Sequence, residues 1–153
     1  ATPLRRIDPA DLEGIVVDDG EAVFTGSWKG SAAVSPVVHA GYRHDGNTQK
    51  GELSARFAVT LPEPGRYRVR FLYPPHDNRA AAVPVTIRHA DGVTRRTVDQ
   101  RTPFPAGRFG ADLGVFRFGA EEAVVEISNE GTDGYVVVDA AQFVWEDGRP
   151  APE

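Results

Sequence analysis

The sequence predicts an all-β protein, an antiparallel, jelly-roll-like β-sandwich of about eight strands. Three observations carry that expectation. Apolar residues recur with a period of two through most of the chain. Turn residues interrupt those runs at short, regular intervals. No segment shows a helical period, apart from a short turn at DPADLEG.

The elements follow in order. IVVDD and EAVF open the series. Next comes a long irregular stretch from Gly26 to Gly51, rich in Gly and Ser. In ELSARFAVT, Leu53, Ala55, Phe57 and Val59 share one face while Ser54, Arg56 and Thr60 take the other. GRYRVRFLY repeats the alternation, with Tyr67, Val69, Phe71 and Tyr73 set against Arg66, Arg68 and Arg70. Pro62, Pro64 and Gly65 mark the turn between them. VPVTIRHA and VTRRTVD flank Asp91-Gly92, a step that suits a type I′ hairpin turn with positive φ at both positions. LGVFRFG, EAVVEIS and GYVVVDAAQFVWE complete the set, with EGTDG as the turn before the last.

A chain of 153 residues fits one domain and needs no metal or disulfide to build its core. Residues 14–146 are expected to form the module, with 1–13 a linker or peripheral segment and 147–153 a C-terminal linker. Methionine is absent, which suggests a module cut from a longer protein or a processed chain. A net charge of −5 argues against nucleic acid, whose binders need a basic face. No apolar run approaches the ~20 residues that span a bilayer, so no membrane insertion is expected. Cysteine is absent, which excludes disulfides, thiolate metal sites and cysteine nucleophiles.

The familiar catalytic motifs are missing, and no catalytic residue is expected. His39 and His44, five apart on an extended segment, project to opposite faces and read as a surface loop rather than a metal pair. His89 shares the face of Val83, Val85 and Ile87 and reads as a hydrogen-bonded core residue, whereas His76 in its Pro-Pro loop reads as solvated.

Asp139 stands on the apolar face of Tyr135, Val137, Ala141, Phe143 and Trp145. A carboxylate there must be paired, hydrogen-bonded to backbone or bound to a cation. If the terminal strands pair, Asp18, Asp19 and Glu21 come beside it and form an oxygen-rich site suited to a structural calcium. Hydrogen bonding of Asp139 to a turn is the competing reading.

Trp28 lies in the irregular region, followed by Tyr42, Arg43, His44 and Asp45. An aromatic ring flanked by hydrogen-bonding groups suits a pyranose, whose C–H face packs on the ring. The alternative is that Trp28 plugs one end of the core. Arg66, Arg68 and Arg70 form either a ladder neutralised by acids on adjacent strands or a surface for an anionic polysaccharide.

IVVDDGEAVFTGSW, GYRHDGN, YPPHDNRAAAVPVTIRHADG and SNEGTDGYVVVDAAQF resemble, in that order, the golvesin C-terminal domain family, also described as the carbohydrate-binding-like domain of xanthan lyases. The resemblance spans roughly residues 14–145. It implies an accessory β-sandwich appended to secreted polysaccharide lyases, other hydrolases or FAD-dependent oxidoreductase-like proteins. It places Trp28, Tyr42, Arg43, Asn78, Arg79, Tyr135 and Asp139 at family-pattern positions without assigning them ligand roles. The resulting expectation is a non-catalytic carbohydrate-binding module, extracellular or periplasmic, partnered by a polysaccharide and by its own catalytic neighbour. Trp28, Tyr42 and Tyr73 are the candidate ring platforms, and Arg43, Asp45, Asn78 and Arg79 the polar contacts. The rival expectation is a structural module that packs on the catalytic domain and binds no sugar.

Overall fold

The computed structural model describes residues 6–34, 37–105 and 109–146. Fourteen strand segments occur among them. The first six are short: β1 (Arg6–Ile7), β2 (Ile15–Asp18), β3 (Val23–Thr25), β4 (Lys29–Ser31), β5 (Val37–Val38) and β6 (Tyr42–His44). The long ones follow as β7 (Ser54–Val59), β8 (Gly65–Leu72), β9 (Val83–His89), β10 (Gly92–Val98), β11 (Ala111–Phe118) and β12 (Ala123–Ser128). The chain closes with β13 (Val137–Val138) and β14 (Ala140–Trp145).

Two antiparallel sheets form the sandwich. One has five strands in the order β10-β9-β12-β7-β3, the other four in the order β11-β8-β14-β2. The period-two pattern becomes packing directly. Phe57, Val85, Ile87, Val125 and Ile127 of the first sheet, and Tyr67, Val69, Phe71 and Phe143 of the second, are buried in one cluster. Each large apolar side chain removed from water contributes about 1.5–3 kcal/mol, so this cluster is the main stabilising term. Rings meet edge-on within it, as where Phe118 contacts Tyr67 and Phe143.

The excess of segments over the expected eight comes from residues 6–44 and from a split of the last run. A small sheet, β13-β6-β4, and a parallel pair, β1-β5, are built from stretches too short to show alternation. The N-terminal segment is thereby tied in: Arg6 and Ile7 pair with Val37 and Val38. Residues 1–5 and 147–153 lie outside the described residues. The hairpin at Asp91-Gly92 also differs from expectation. The two turn residues are Ala90 and Asp91, and positive φ falls on Gly92 (+125°), which pairs with His89.

The last run is two strands rather than one. β13 pairs with β6 in the small sheet, and β14 pairs with β8 and β2 in the sandwich. The break falls at Asp139, whose backbone N–H donates to Leu72 O and whose carboxylate turns toward Val38.

Register gathers the loops at one end. Ser128 pairs with Ser54, Leu72 with Ala140, and Asp18 with Ala140. The connections after Asp18, Leu72, Val98 and Ser128, and the one before Ser54, therefore emerge together. The opposite end carries the β9–β10 and β11–β12 turns.

Candidate functional site

The loop end holds two polar clusters of different character. In the first, Asp45 is 1% exposed and saturated with donors. Its Oδ1 accepts from the backbone N–H groups of Asn47 (2.9 Å) and Val136 (3.0 Å). Its Oδ2 accepts from Lys50 Nζ (2.9 Å) and Asn129 Nδ2 (3.1 Å). Asn129 in turn accepts from the amides of Gly51 and Leu53 and donates to Thr48 O. Nearby, Gln100 grips Val137 through both its N–H and its C=O. These contacts tie loops remote in sequence to the sandwich.

In the second cluster, β2 and β14 lie side by side, so Asp18 and Asp19 reach Asp139. One carboxylate oxygen from each of the three lies within 4.8 Å of the others. Asp139 is 0% exposed. Its Oδ2 accepts from Val38 N–H (2.8 Å), while its Oδ1 is buried without a partner, as is Asp18 Oδ1. Burial, then the charges of Asp19 and Asp18, push the Asp139 carboxyl up to about 9 against the pull of the Val38 amide. Burial and the adjoining Asp18 push Asp19 up to about 7, opposed by Arg43. Arg43 Nε sits 3.2 Å from Asp19 Oδ2 and is the nearby cation.

This donor set fits a hard cation. Oxygens bound to one calcium at about 2.3–2.6 Å lie no more than roughly 5 Å apart. Ionised together, three carboxylates set against one guanidinium would leave negative charge that only a further cation or protons could balance. Glu21, the fourth expected ligand, is placed elsewhere. Its Oε1 accepts from Asp18 N–H in a capping box around the 3-10 turn Asp19–Glu21, so it orients Asp18 from behind.

Beside this cluster stands an aromatic edge. Trp28 is half-buried against Phe24, ring centroids 5.6 Å apart, and its Nε1 donates to Thr25 O and Ser54 O. The Arg43 guanidinium lies 4.4 Å from the Phe24 centroid. Trp28 thus closes one margin of the core and is only partly buried there.

Burial corrects several of the expected sugar contacts. Tyr42 and Tyr73 are core residues; Tyr73 packs between Phe71 and Phe104 and offers no ring face to solvent. Asp45 is the hub just described. Arg79 is 3% exposed, lies over the Tyr42 ring and donates to Pro74 O and Asn78 Oδ1. Its backbone bridges Tyr135, which fastens the loop to the last strands. The same polarity that suggested ligand contacts here satisfies backbone groups that loops would otherwise bury unpaired. Trp28, Arg43 and the exposed Asn78 are the expected contacts that keep accessible surface.

The remaining histidines behave simply. His89 contacts Thr94 Oγ1 at 2.8 Å and stacks on Phe116. His76 is exposed beside Asp77, and His44 packs edge-on to Tyr135. His39 occupies a turn at φ 57°. Sequence reading missed Phe24, Lys50, Gln100 and Asn129. Asn129, directly after a strand and before EGTDG, carried the one visible signal, because Asn favours turns.

The pattern of the golvesin C-terminal domain matches residues 15–145. The chain belongs to that family. It is 37% identical over 147 residues to a xanthan lyase of Bacillus sp. (strain GL1), a match covering 90% of this chain and 16% of that protein. The solved Paenibacillus xanthan lyase superposes with a TM-score of 0.79 at 33% identity, over 86% of this chain and 13% of that one. The mannan binding module of Man5C shares the fold, with a TM-score of 0.55 at 12% identity, over 86% of this chain and 97% of the module. This golvesin-type domain therefore corresponds to a small part of the lyases it resembles.

Proposed function

We propose that this golvesin-type domain is a non-catalytic carbohydrate-binding accessory module of a larger, extracellular polysaccharide-active protein. The observation that carries the reading is the Trp28–Phe24–Arg43 edge. A partly exposed indole stands beside a guanidinium, on a fold shared with a mannan-binding module and at the end where the loops converge. Trp28 supplies the ring face for a sugar, and Arg43 and Asn78 supply hydrogen-bonding groups. Affinity is modest, because an open site competes with water for every hydroxyl. Retention of the isolated domain on a polysaccharide panel tests this. Trp28→Ala and Asn78→Ala should weaken retention with the fold intact, and failure of the wild type to bind any glycan rejects the reading.

Asp18, Asp19 and Asp139 would hold a calcium ion in the same proposal. The unpartnered buried oxygens of Asp18 and Asp139 support it. The ion's part would be structural: through Asp18, Asp19 and Asp139 it would join the turn after β2 to the β13–β14 junction. Isothermal titration with calcium chloride should show one site that Asp139→Asn removes.

A second reading, a module that packs on a catalytic neighbour, draws support from the burial of Tyr42, Arg79 and Asp139, all family-pattern positions. The exposed large apolar residues Val23, Val93 and Val115 stand on three separate strands, which argues against one docking patch there.

A further inference from the structure

The two outer sheet faces treat their arginines differently. On the four-stranded sheet, Arg68 pairs with Asp112 (2.6 Å) and Glu146 (2.8 Å), and Arg70 reaches Glu13 (3.4 Å). That ladder is neutralised by acids on neighbouring elements. On the five-stranded sheet, the residues directly opposite Arg88 are Val124 and Val93, both apolar. Among the described residues, no carboxylate lies within ion-pair distance of Arg88.

Arg88 also borders a cleft of about 560 Å³ at the end remote from the converging loops. That volume falls within the roughly 300–1,000 Å³ of small-ligand sites. Val124 lines it from the sheet, and the two turns beyond β9 and β11 form its walls. The walls are fixed. Ala90 N–H donates to Arg117 O (2.8 Å), Arg117 pairs with Asp91 (2.6 Å), and His89 stacks on Phe116. Arg56 stands in the cleft too, in a long contact of 3.7 Å with Glu122, while Glu121 lies on the rim. Arg88 is thus a guanidinium beside an apolar side chain, in a preformed hollow, with no carboxylate partner among the described residues.

We infer that this cleft is a second saccharide subsite that takes a carboxylate-bearing sugar, with Arg88 forming the bidentate contact and Arg56 supporting it. A planar guanidinium matches a carboxylate with two parallel hydrogen bonds. The acids on the rim and the overall charge of −5 oppose indiscriminate attraction of polyanions, so recognition depends on the local fork. The inference rests on the carbohydrate-binding reading but uses the end opposite Trp28. Two weak subsites on one module would lengthen residence on a polymer without either being tight.

Affinity electrophoresis of the folded domain in gels containing polygalacturonate, its carboxyl-reduced counterpart or dextran sulfate tests it. Wild type should be retarded by polygalacturonate and not by the reduced polymer. Arg88→Glu and Arg88→Ala, both at an exposed position and checked by thermal melting, should lower that affinity by about tenfold or more. Arg68→Ala, on the other sheet and outside both sites, should leave it in place. Equal retardation of wild type and Arg88→Glu overturns the inference, as does equal binding to the reduced polymer or to dextran sulfate. Loss of polygalacturonate binding in Trp28→Ala alone assigns all binding to the loop end, which removes the cleft and sustains the module. Absence of binding to any glycan, neutral or acidic, rejects both.

Discussion

Asp45 and Asp139 are both buried carboxylates at the loop end, and they differ in how many donors reach them. Asp45 receives two backbone amides, an ammonium and a side-chain amide. Asp139 receives one amide, faces two further carboxylates and keeps one oxygen without a partner. A saturated buried acid holds structure together; a starved one is a place for a cation or a proton. The contrast separates a fold-holding cluster from one that keeps buried carboxylate oxygens unsatisfied.

Breaking the saturated cluster should cost most. Asp45→Ala leaves Lys50 with Gly134 O alone and takes the acceptor from the Asn47 and Val136 amides, and we expect a loss of about 3–5 kcal/mol in urea denaturation, close to unfolding. Loss below about 1 kcal/mol would mean the hub is not what holds these loops.

The starved cluster should respond to calcium instead. At a hundredfold excess over Kd, calcium should stabilise the domain by about 2.7 kcal/mol, read as a rise in Tm. Asp139→Asn should abolish that gain while leaving the metal-free protein as stable or more so, since folding no longer has to protonate a carboxyl that the site cannot keep ionised.

The pH dependence in chelator follows in sign. The Asp139 carboxyl is raised from 3.8 to about 9 in the fold, and that of Asp19 to about 7. Below 3.8 both states are protonated. Above it the unfolded chain releases protons that the native state retains, so stability falls as pH rises, through about 7 for Asp19 and 9 for Asp139. Melting curves between pH 5 and 9 should show this decline, and calcium should flatten it. A metal-free Tm that rises across that range would contradict the starved state of the cluster.

The smaller effects lie outside both clusters. Trp28→Phe removes the indole N–H shared by Thr25 O and Ser54 O, and should cost about 1 kcal/mol. Arg68→Ala, on a half-exposed ion-pair ladder, should cost under about 1 kcal/mol, and less at high salt.

Much of the fold was legible because strand alternation is written locally. Phe57, Tyr67, Val69 and Ile87 point inward as their spacing says. Asp139 was legible for the same reason, as a carboxylate at odds with its apolar neighbours. Its meeting with Asp18 and Asp19 followed once the terminal strands paired. Glu21 was misplaced because a carboxylate two residues further on caps a turn as readily as it binds an ion. Asp45, Tyr73 and Arg79 were misread for a different reason: polarity in a loop looks the same whether the partner is water, sugar or the protein's own backbone.

The sequence by itself determined the long strands, their inward faces, the irregular region and the anomaly at Asp139, because each depends on neighbours within a few residues. Only the tertiary structure decided that Asp45 is enclosed by groups up to 91 residues away, and that Asp18 Oδ1 and Asp139 Oδ1 go unsatisfied. It decided too that Arg88 stands beside valines and Arg68 beside acids. Hydrogen-bond satisfaction and charge balance are sums over partners brought from distant parts of the chain, and no local pattern records which partners arrive.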